Sequence, residues 1–324
     1  MVSTTNTLTL LDSVEVTELQ DSLPFGAIVK GLTLAMLDQS NVRQALKDLF
    51  IDRGVILFQG ENSHEMQLEL SRCVGPLERF PYPQTWVEDH PELVKIKYFP
   101  DNGTCYEVNG ERLGGWVPWH TDLIYTDEIN RGGILRPAKL SEHGGITGFL
   151  DQILAYDKLP SYLQKEIENL HVVYSPDINL ENSKFAGVKK VKFIRGANSF
   201  NDIIKNVYDR PLVMHPMVFT QAETGRKILN VSPGFAHGIY EIGGPEGDAL
   251  LSEVAAYCTN EDFAYFHHWQ EGDMVLWDNW RVLHCATGVP VNEERMMYRT
   301  TIAGDYRLGK KLEWGKKPLE KIDI

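Results

Sequence analysis

The stretch Gly114–Tyr125, GGWVPWHTDLIY, sets a histidine and an aspartate two positions apart, His120 and Asp122, among aromatic side chains. On a β-strand, residues i and i+2 point to the same face. An imidazole nitrogen and a carboxylate oxygen would then converge on one point, as a metal site requires. The rival reading is a half-exposed strand that turns its polar residues to water.

A mononuclear metal site needs a third donor, and the chain has ten histidines from which to draw it. His64 and His90 fall in polar text and His143 in a glycine-flanked turn. His267 and His268 are adjacent, so a strand would send them to opposite faces. His284 differs: it closes DMVLWDNWRVLHCATG, a strand followed by a turn. Two histidines and one carboxylate form the facial triad that leaves open positions on non-haem Fe(II). Zinc accepts the same donors.

Just after His284 comes EERMMYRTTIAGD. On a strand, Arg295, Met297, Arg299 and Thr301 share one face, and Met296, Tyr298, Thr300 and Ile302 share the other. Both faces are substantially apolar, so the strand should be buried. A buried guanidinium is costly without an anion. Two on one face point to two anionic ligands or to internal carboxylates, either of which a planar guanidinium fork matches.

The elements that would position these residues change character along the chain. DQSNVRQALKDLFIDRG predicts a helix with Val42, Ala45, Leu46, Leu49 and Phe50 on one face and Gly54 as its C-terminal cap. VILF then reads as a buried strand. ENSHEMQLELSRCVG reads as a second helix, with Asn62 and Glu65 as a capping pair. From about Leu93 onward, short strands alternate with Gly, Pro and Asp turns: LVKIKYF, HTDLIY, GGITGFLD, RPLVMHPMVF, KILNVS, DMVLWDN and MMYRTTIAG. Helical text interrupts them in SYLQKEIENLHVVYS and GGPEGDALLSEVAAYC. A β sandwich or barrel with helices packed outside it is the expected architecture.

Composition bounds the function. The 324 residues carry a formal charge of −13, which argues against a nucleic-acid partner. The lysines of LGKKLEWGKK read as a solvated tail. Cys73, Cys105, Cys258 and Cys285 are widely spaced, with no CxxC pair, so a thiolate zinc site is unsupported and a reducing compartment fits. No apolar run reaches the ~18–20 residues of a membrane span, and the first residues lack the charge and apolar pattern of a signal peptide. A cytoplasmic protein with no membrane partner is expected.

The ordered set FGAIVKGL, GVILFQG, VGPLERFPYP, WHTD, HPMVFTQAETGRKILNVSPGF, WQEGDMVLWDNWRVLHCA and RMMYRTTIAGD resembles the TauD/TfdA family of Fe(II)- and 2-oxoglutarate-dependent dioxygenases over most of the chain. The resemblance implies a double-stranded β-helix, a cupin-like jelly roll, as a single domain over residues 1–324, with its core at about 93–305 and a helical insert at about 160–172. It implies Fe(II), 2-oxoglutarate and O2 as cofactors, with His120, Asp122 and His284 holding the metal and forming the catalytic centre. Thr147 falls 27 residues after the first metal histidine, and Arg295 falls 11 residues after the second. The resemblance implies that these two hold the far carboxylate of 2-oxoglutarate. It gives Arg299, four residues on, the acidic group of the substrate. Taurine-type members carry Asn where this chain has Trp116 and His where it has Phe80, with Tyr82 following. Phe80, Tyr82 and Trp116 are therefore expected to contact a small acidic substrate larger or more apolar than taurine. Core packing is the other role open to Phe80 and Trp116.

The implied reaction oxidises an unactivated C–H bond and yields succinate and CO2. Hydroxylation is one outcome; desaturation or cyclisation of an amino-acid-derived metabolite in secondary metabolism is another. A zinc-dependent hydrolase or a non-catalytic acid-binding barrel are the readings from other classes. Members of the family often form dimers or tetramers.

Overall fold

Between Asp273 and Asp278 the chain reads DMVLWD, and all six residues are buried. Strand alternation sends Met274 and Leu276 to one face and Val275 and Trp277 to the other. The first pair packs with Val42, Leu46, Phe50, Met66 and Leu70 from two helices. The second packs with Phe149 and Val282 from another sheet. The layers of the protein are stacked around this strand. In the computed structural model, residues 14–80, 83–175, 179–198 and 211–312 are described. Tyr82, the N-terminal residues before Val14 and the second half of the stretch LGKKLEWGKK lie outside them.

The large sheet has nine strands. Eight follow the order Glu15–Glu18, Ala27–Lys30, Val55–Gln59, Asp273–Asp278, Gly132–Lys139, Arg295–Ile302, His90–Tyr98 and Trp86–Val87, and Leu77–Glu78 adds to the side of Arg295–Ile302. Among the described residues, only Ala27–Lys30 and Val55–Gln59 in this sheet run parallel to each other. The facing sheet has four strands, in the order Ala264–His267, Thr147–Asp151, Val282–Ala286 and Val117–His120. Leu135, Val275, Trp277 and Met297 of the large sheet share one apolar cluster with Phe149 and Val282 of the small one. Two sheets closed over a common core make the expected jelly roll.

Helices cover both outer faces. Ser40–Arg53 and His64–Val74 lie on the large sheet. Gln152–Lys158, Ser161–Ile167 and Gly244–Cys258 lie behind the small one, where Leu150, Leu283, Cys285 and Trp119 meet Tyr156, Leu163, Leu251 and Val254. Each such side chain taken from water contributes roughly 1.5–3 kcal/mol. The first helix ends at Gly54, whose φ of 74° is left-handed and whose N–H donates to Phe50 O.

Three local expectations are corrected. The second helix is capped by Ser63, which accepts from Met66 N. Asn62 does not cap it, because its side-chain oxygen accepts from Arg136 Nη1 at 2.7 Å. The helical run in SYLQKEIENLHVVYS stops at Ile167, and His171–Tyr174 is a strand. The strand expected in HTDLIY ends at His120, and the chain turns from Thr121 onward. Leu123 takes a left-handed φ of 58° in that turn.

Candidate metal and anion site

His120 is the last residue of its strand and His284 the middle one of Val282–Ala286; the two are direct partners across the ladder. Their ring centroids are 4.1 Å apart. The turn after His120 brings Asp122 back between them. Its Oδ1 lies 3.6 Å from His120 Nε2 and its Oδ2 3.7 Å from His284 Nε2. One donor atom from each residue lies within 4.8 Å of the others, a grouping able to hold a metal ion. The side chains remain 11%, 14% and 12% exposed, so the cluster is reachable from one side. Convergence therefore comes from a turn that opposes Asp122 to a strand pair, and strand alternation within HTD has no part in it.

The environment prepares these donors. His120 Nδ1 lies 2.8 Å from Pro118 O, which only accepts, so that nitrogen donates and Nε2 is the one turned to the site. Burial alone would raise the Asp122 pKa, but Arg299 and the two imidazoles outweigh it and hold the carboxyl well below the usual carboxylate range. Burial, with His120 adding to it, pushes His284 down to about 4, so its imidazole is neutral at physiological pH. Two imidazoles and a carboxylate are the donor set that suits a ferrous ion with open positions.

The strand Arg295–Ile302 delivers both arginines to one face, as its alternation predicts, and that face is the inner one. Met297 between them packs in the inter-sheet core, while Thr300 Oγ1 on the other face meets Ser71 Oγ of the second helix at 2.7 Å. The two guanidinium groups differ in environment. Arg299 donates from Nη1 to Asp122 Oδ2 at 2.8 Å. Its Nε is buried without a hydrogen-bond partner, and the Phe80 ring lies 4.3 Å from its guanidinium carbon. Arg295 pairs with no carboxylate among the described residues, and burial pushes it down to about 10. Its Nη2 lies 3.5 Å from Thr147 Oγ1, which also accepts from Trp269 Nε1 at 2.9 Å. A cavity of about 400 Å³, lined by Ser141, His143, Ile146, His268, Trp269 and Arg295 among others, opens against this corner.

The structure thus brings together His120, Asp122, His284 and Arg299, with Phe80 against the arginine. Thr147 and Arg295 meet on neighbouring elements, and Thr147 lies two residues along its strand from Phe149, the register partner of His284. Trp116 is 8% exposed and packs with Tyr106, Val108 and Leu180, its ring edge-on to Tyr106 at 5.8 Å. Tyr82 lies outside the described residues. The other histidines do not join the cluster: His143 pairs with Glu293 and His267 with Asp273.

Several supporting residues escaped the sequence reading. Asn279 is fully buried and clamps the Asp122 backbone from both sides: Oδ1 accepts from Asp122 N at 2.9 Å and Nδ2 donates to Asp122 O at 3.0 Å. Ser232 Oγ accepts from Thr121 N at 2.9 Å, and Gly234 N donates to Trp119 O at 3.0 Å. Phe235 sets its ring edge-on to His120 at 5.8 Å, and the Trp277 ring is 5.0 Å from that of His284. Asn279 carried no distinctive signal, since it stands between Asp278 and Arg281 in VLWDNWRVL.

Comparison with known proteins gives a consistent result. Residues 15–301 match the family model described as taurine catabolism dioxygenase TauD, TfdA family. An (S)-phenoxypropionate/alpha-ketoglutarate-dioxygenase of Sphingobium herbicidovorans is 29% identical over 282 residues, covering 87% of this chain and 92% of the relative. An alpha-ketoglutarate-dependent 2,4-dichlorophenoxyacetate dioxygenase of Cupriavidus pinatubonensis is 29% identical over 299 residues, covering 87% and 95%. A putative alpha-ketoglutarate-dependent taurine dioxygenase from Burkholderia xenovorans shares the fold, with a TM-score of 0.70 at 23% identity over 95% of this chain and 97% of that one.

Proposed function

The chain belongs to the TauD/TfdA family of dioxygenases, and from that premise we propose that it oxidises an unactivated C–H bond of a small acid with an apolar, aromatic-sized body. It is an Fe(II)- and 2-oxoglutarate-dependent oxygenase. When bound, the iron, 2-oxoglutarate and O2 supply the oxidising chemistry, and succinate and CO2 leave as coproducts. His120, Asp122 and His284 would hold the iron. Thr147 and Arg295 would receive the far carboxylate of 2-oxoglutarate, because their corner offers a hydroxyl and a guanidinium that pairs with no carboxylate among the described residues.

The observation that carries the substrate reading is the environment of Arg299. One nitrogen is committed to Asp122, the Nε edge has no partner, and an aromatic face covers the guanidinium. An anionic group bound to this arginine sits beside the metal ligands and against Phe80. A cation–π contact holds the guanidinium flat in place, and the aromatic wall favours an apolar body over a hydrated one. Two relatives named for phenoxypropionate and 2,4-dichlorophenoxyacetate fit a substrate of this shape. Around the ligands, Phe235 and Trp277 present rings against the two imidazoles and exclude water from them. The protein's share of the reaction is holding the reactants in one geometry.

The test is direct. Protein purified without oxygen is given Fe(II) and 2-oxoglutarate, then air, with a panel of aryloxyalkanoic, arylalkanoic, alkylsulfonic and neutral ester compounds. Succinate should rise with an acid of aromatic body and stay low with taurine and with the esters. Equal stimulation by an acid and its neutral ester would remove Arg299 from substrate recognition.

A further inference from the structure

We propose that Trp269 is a positioning residue for 2-oxoglutarate: it occupies an acceptor lone pair of Thr147 and so commits the Thr147 hydroxyl proton to the cosubstrate. The inference rests on the reading that Thr147 and Arg295 receive the far carboxylate.

A threonine hydroxyl has one proton to give and two lone pairs to accept with. The indole Nε1–H of Trp269 donates to Thr147 Oγ1 at 2.9 Å. Arg295 Nη2 approaches the same oxygen at 3.5 Å. Indole and guanidinium nitrogens only donate, so neither can take the threonine's proton. Thr147 is 4% exposed, and no acceptor for its hydroxyl is found among the described residues. Both neighbours therefore turn the proton away from themselves. Around Thr147 Oγ1 the described partners are donors: the guanidinium, and the indole already spent on Thr147, which leave the hydroxyl locked in the donating sense. A carboxylate, which only accepts, completes it.

The fold holds Trp269 where this requires. Thr147 is the register partner of His267, the last residue of the adjacent strand, and Trp269 follows two positions later. The indole stands edge-on to the His267 ring at 4.4 Å with an interplanar angle of 88°. His267 Nδ1 is bonded in turn to the Tyr265 hydroxyl at 3.0 Å, and its Nε2 lies 3.1 Å from Asp273 Oδ2. Asp273 also closes the intervening turn, accepting from Gln270 N at 3.0 Å. Replacing Trp269 by a residue without a donor would free the hydroxyl to rotate and would leave the guanidinium alone to recognise the anion.

The experiment is anaerobic titration calorimetry on the full chain loaded with Mn(II), using 2-oxoglutarate and, as a control, 2-oxovalerate, which lacks the far carboxylate. Trp269→Phe keeps an aromatic body and removes the donor. It should weaken 2-oxoglutarate about tenfold, the equivalent of one hydrogen bond, and leave 2-oxovalerate unchanged. Thr147→Val should weaken 2-oxoglutarate by at least as much, and adding Trp269→Phe to it should cost nothing more. Unchanged 2-oxoglutarate binding in Trp269→Phe would overturn the proposal. So would equal weakening of both acids, or additive losses in the double variant, since either makes Trp269 a packing residue. A wild-type protein that binds 2-oxovalerate as well as 2-oxoglutarate would instead overturn the parent assignment of Thr147 and Arg295.

Discussion

Asn279→Ala is the most informative single change to the candidate metal site. The Asn279 side chain touches none of the three proposed ligand atoms, yet it satisfies both the N–H and the C=O of Asp122. It also bonds Asn130 through its backbone oxygen at 3.2 Å and its side-chain oxygen at 3.1 Å. Alanine at this fully buried position would leave the two partly buried Asp122 backbone groups without these partners. Each group left unmet costs about 1–3 kcal/mol, so the metal-free protein should lose roughly 2–6 kcal/mol. The turn that carries Asp122 also contains the left-handed Leu123, a conformation that persists only where the surroundings enforce it. With the clamp gone, the carboxylate should wander, and metal affinity should fall about tenfold to a hundredfold, the usual range for losing a partner of a ligand. Urea denaturation of the metal-free protein reads the first quantity, and Mn(II) titration reads the second. If stability and Mn(II) affinity both stay within about twofold of wild type, Asp122 is positioned by something other than this amide.

Three further outcomes are expected. Arg299→Ala should abolish stimulation by the acidic substrate while slow, uncoupled 2-oxoglutarate decay continues; succinate release measured with and without substrate separates the two, and equal loss of both would deny Arg299 a separate role. Gly234→Ala should destabilise the protein by about 1–3 kcal/mol and weaken Mn(II) binding, because a Cβ there would lie 2.9 Å from Trp119 O and 3.2 Å from Pro118 Cγ, on the strand that ends at His120; thermal melts and metal titration test it. Burial pushes His215 from 6.5 down to about 4, so below pH 6.5 the unfolded chain takes up this proton before the folded one. Stability should therefore fall from about pH 6.5 and lose up to roughly 3 kcal/mol by pH 4, and urea midpoints for His215→Gln should fall less steeply through that window.

The architecture was legible because burial leaves a periodic trace. DMVLWD declared a strand, RMMYRTTI one apolar on both faces, and the shared face of Arg295, Met297 and Arg299 followed from alternation alone. The site was legible in part. His120 and Asp122 were found through their spacing, although the geometry that joins them is a turn, because Asp122 is held by Asn279, 157 residues away in the chain. Contacts of that reach leave no local pattern. The same holds for Ser232 and Gly234, which come from a distant loop to brace the His120 segment, and for Trp269, whose polarity toward Thr147 exists only once two strands pair. Asn62 was misread for the converse reason: its local context suits a cap, but a buried arginine in the large sheet claims its oxygen.

The strand Val282–Ala286 alternates between two chemical worlds: His284 turns toward the ligand cluster, and Cys285 turns outward into the apolar layer beneath the helices. Burial lifts the Cys285 thiol to about 12, which keeps it protonated and inert there. A slip of one residue in pairing would reverse every side chain on this strand and offer soft sulfur to the iron in place of nitrogen. Correct pairing of four short strands thus decides which element of the periodic table the ion meets, and with it whether oxygen encounters a tunable centre or an oxidisable thiolate.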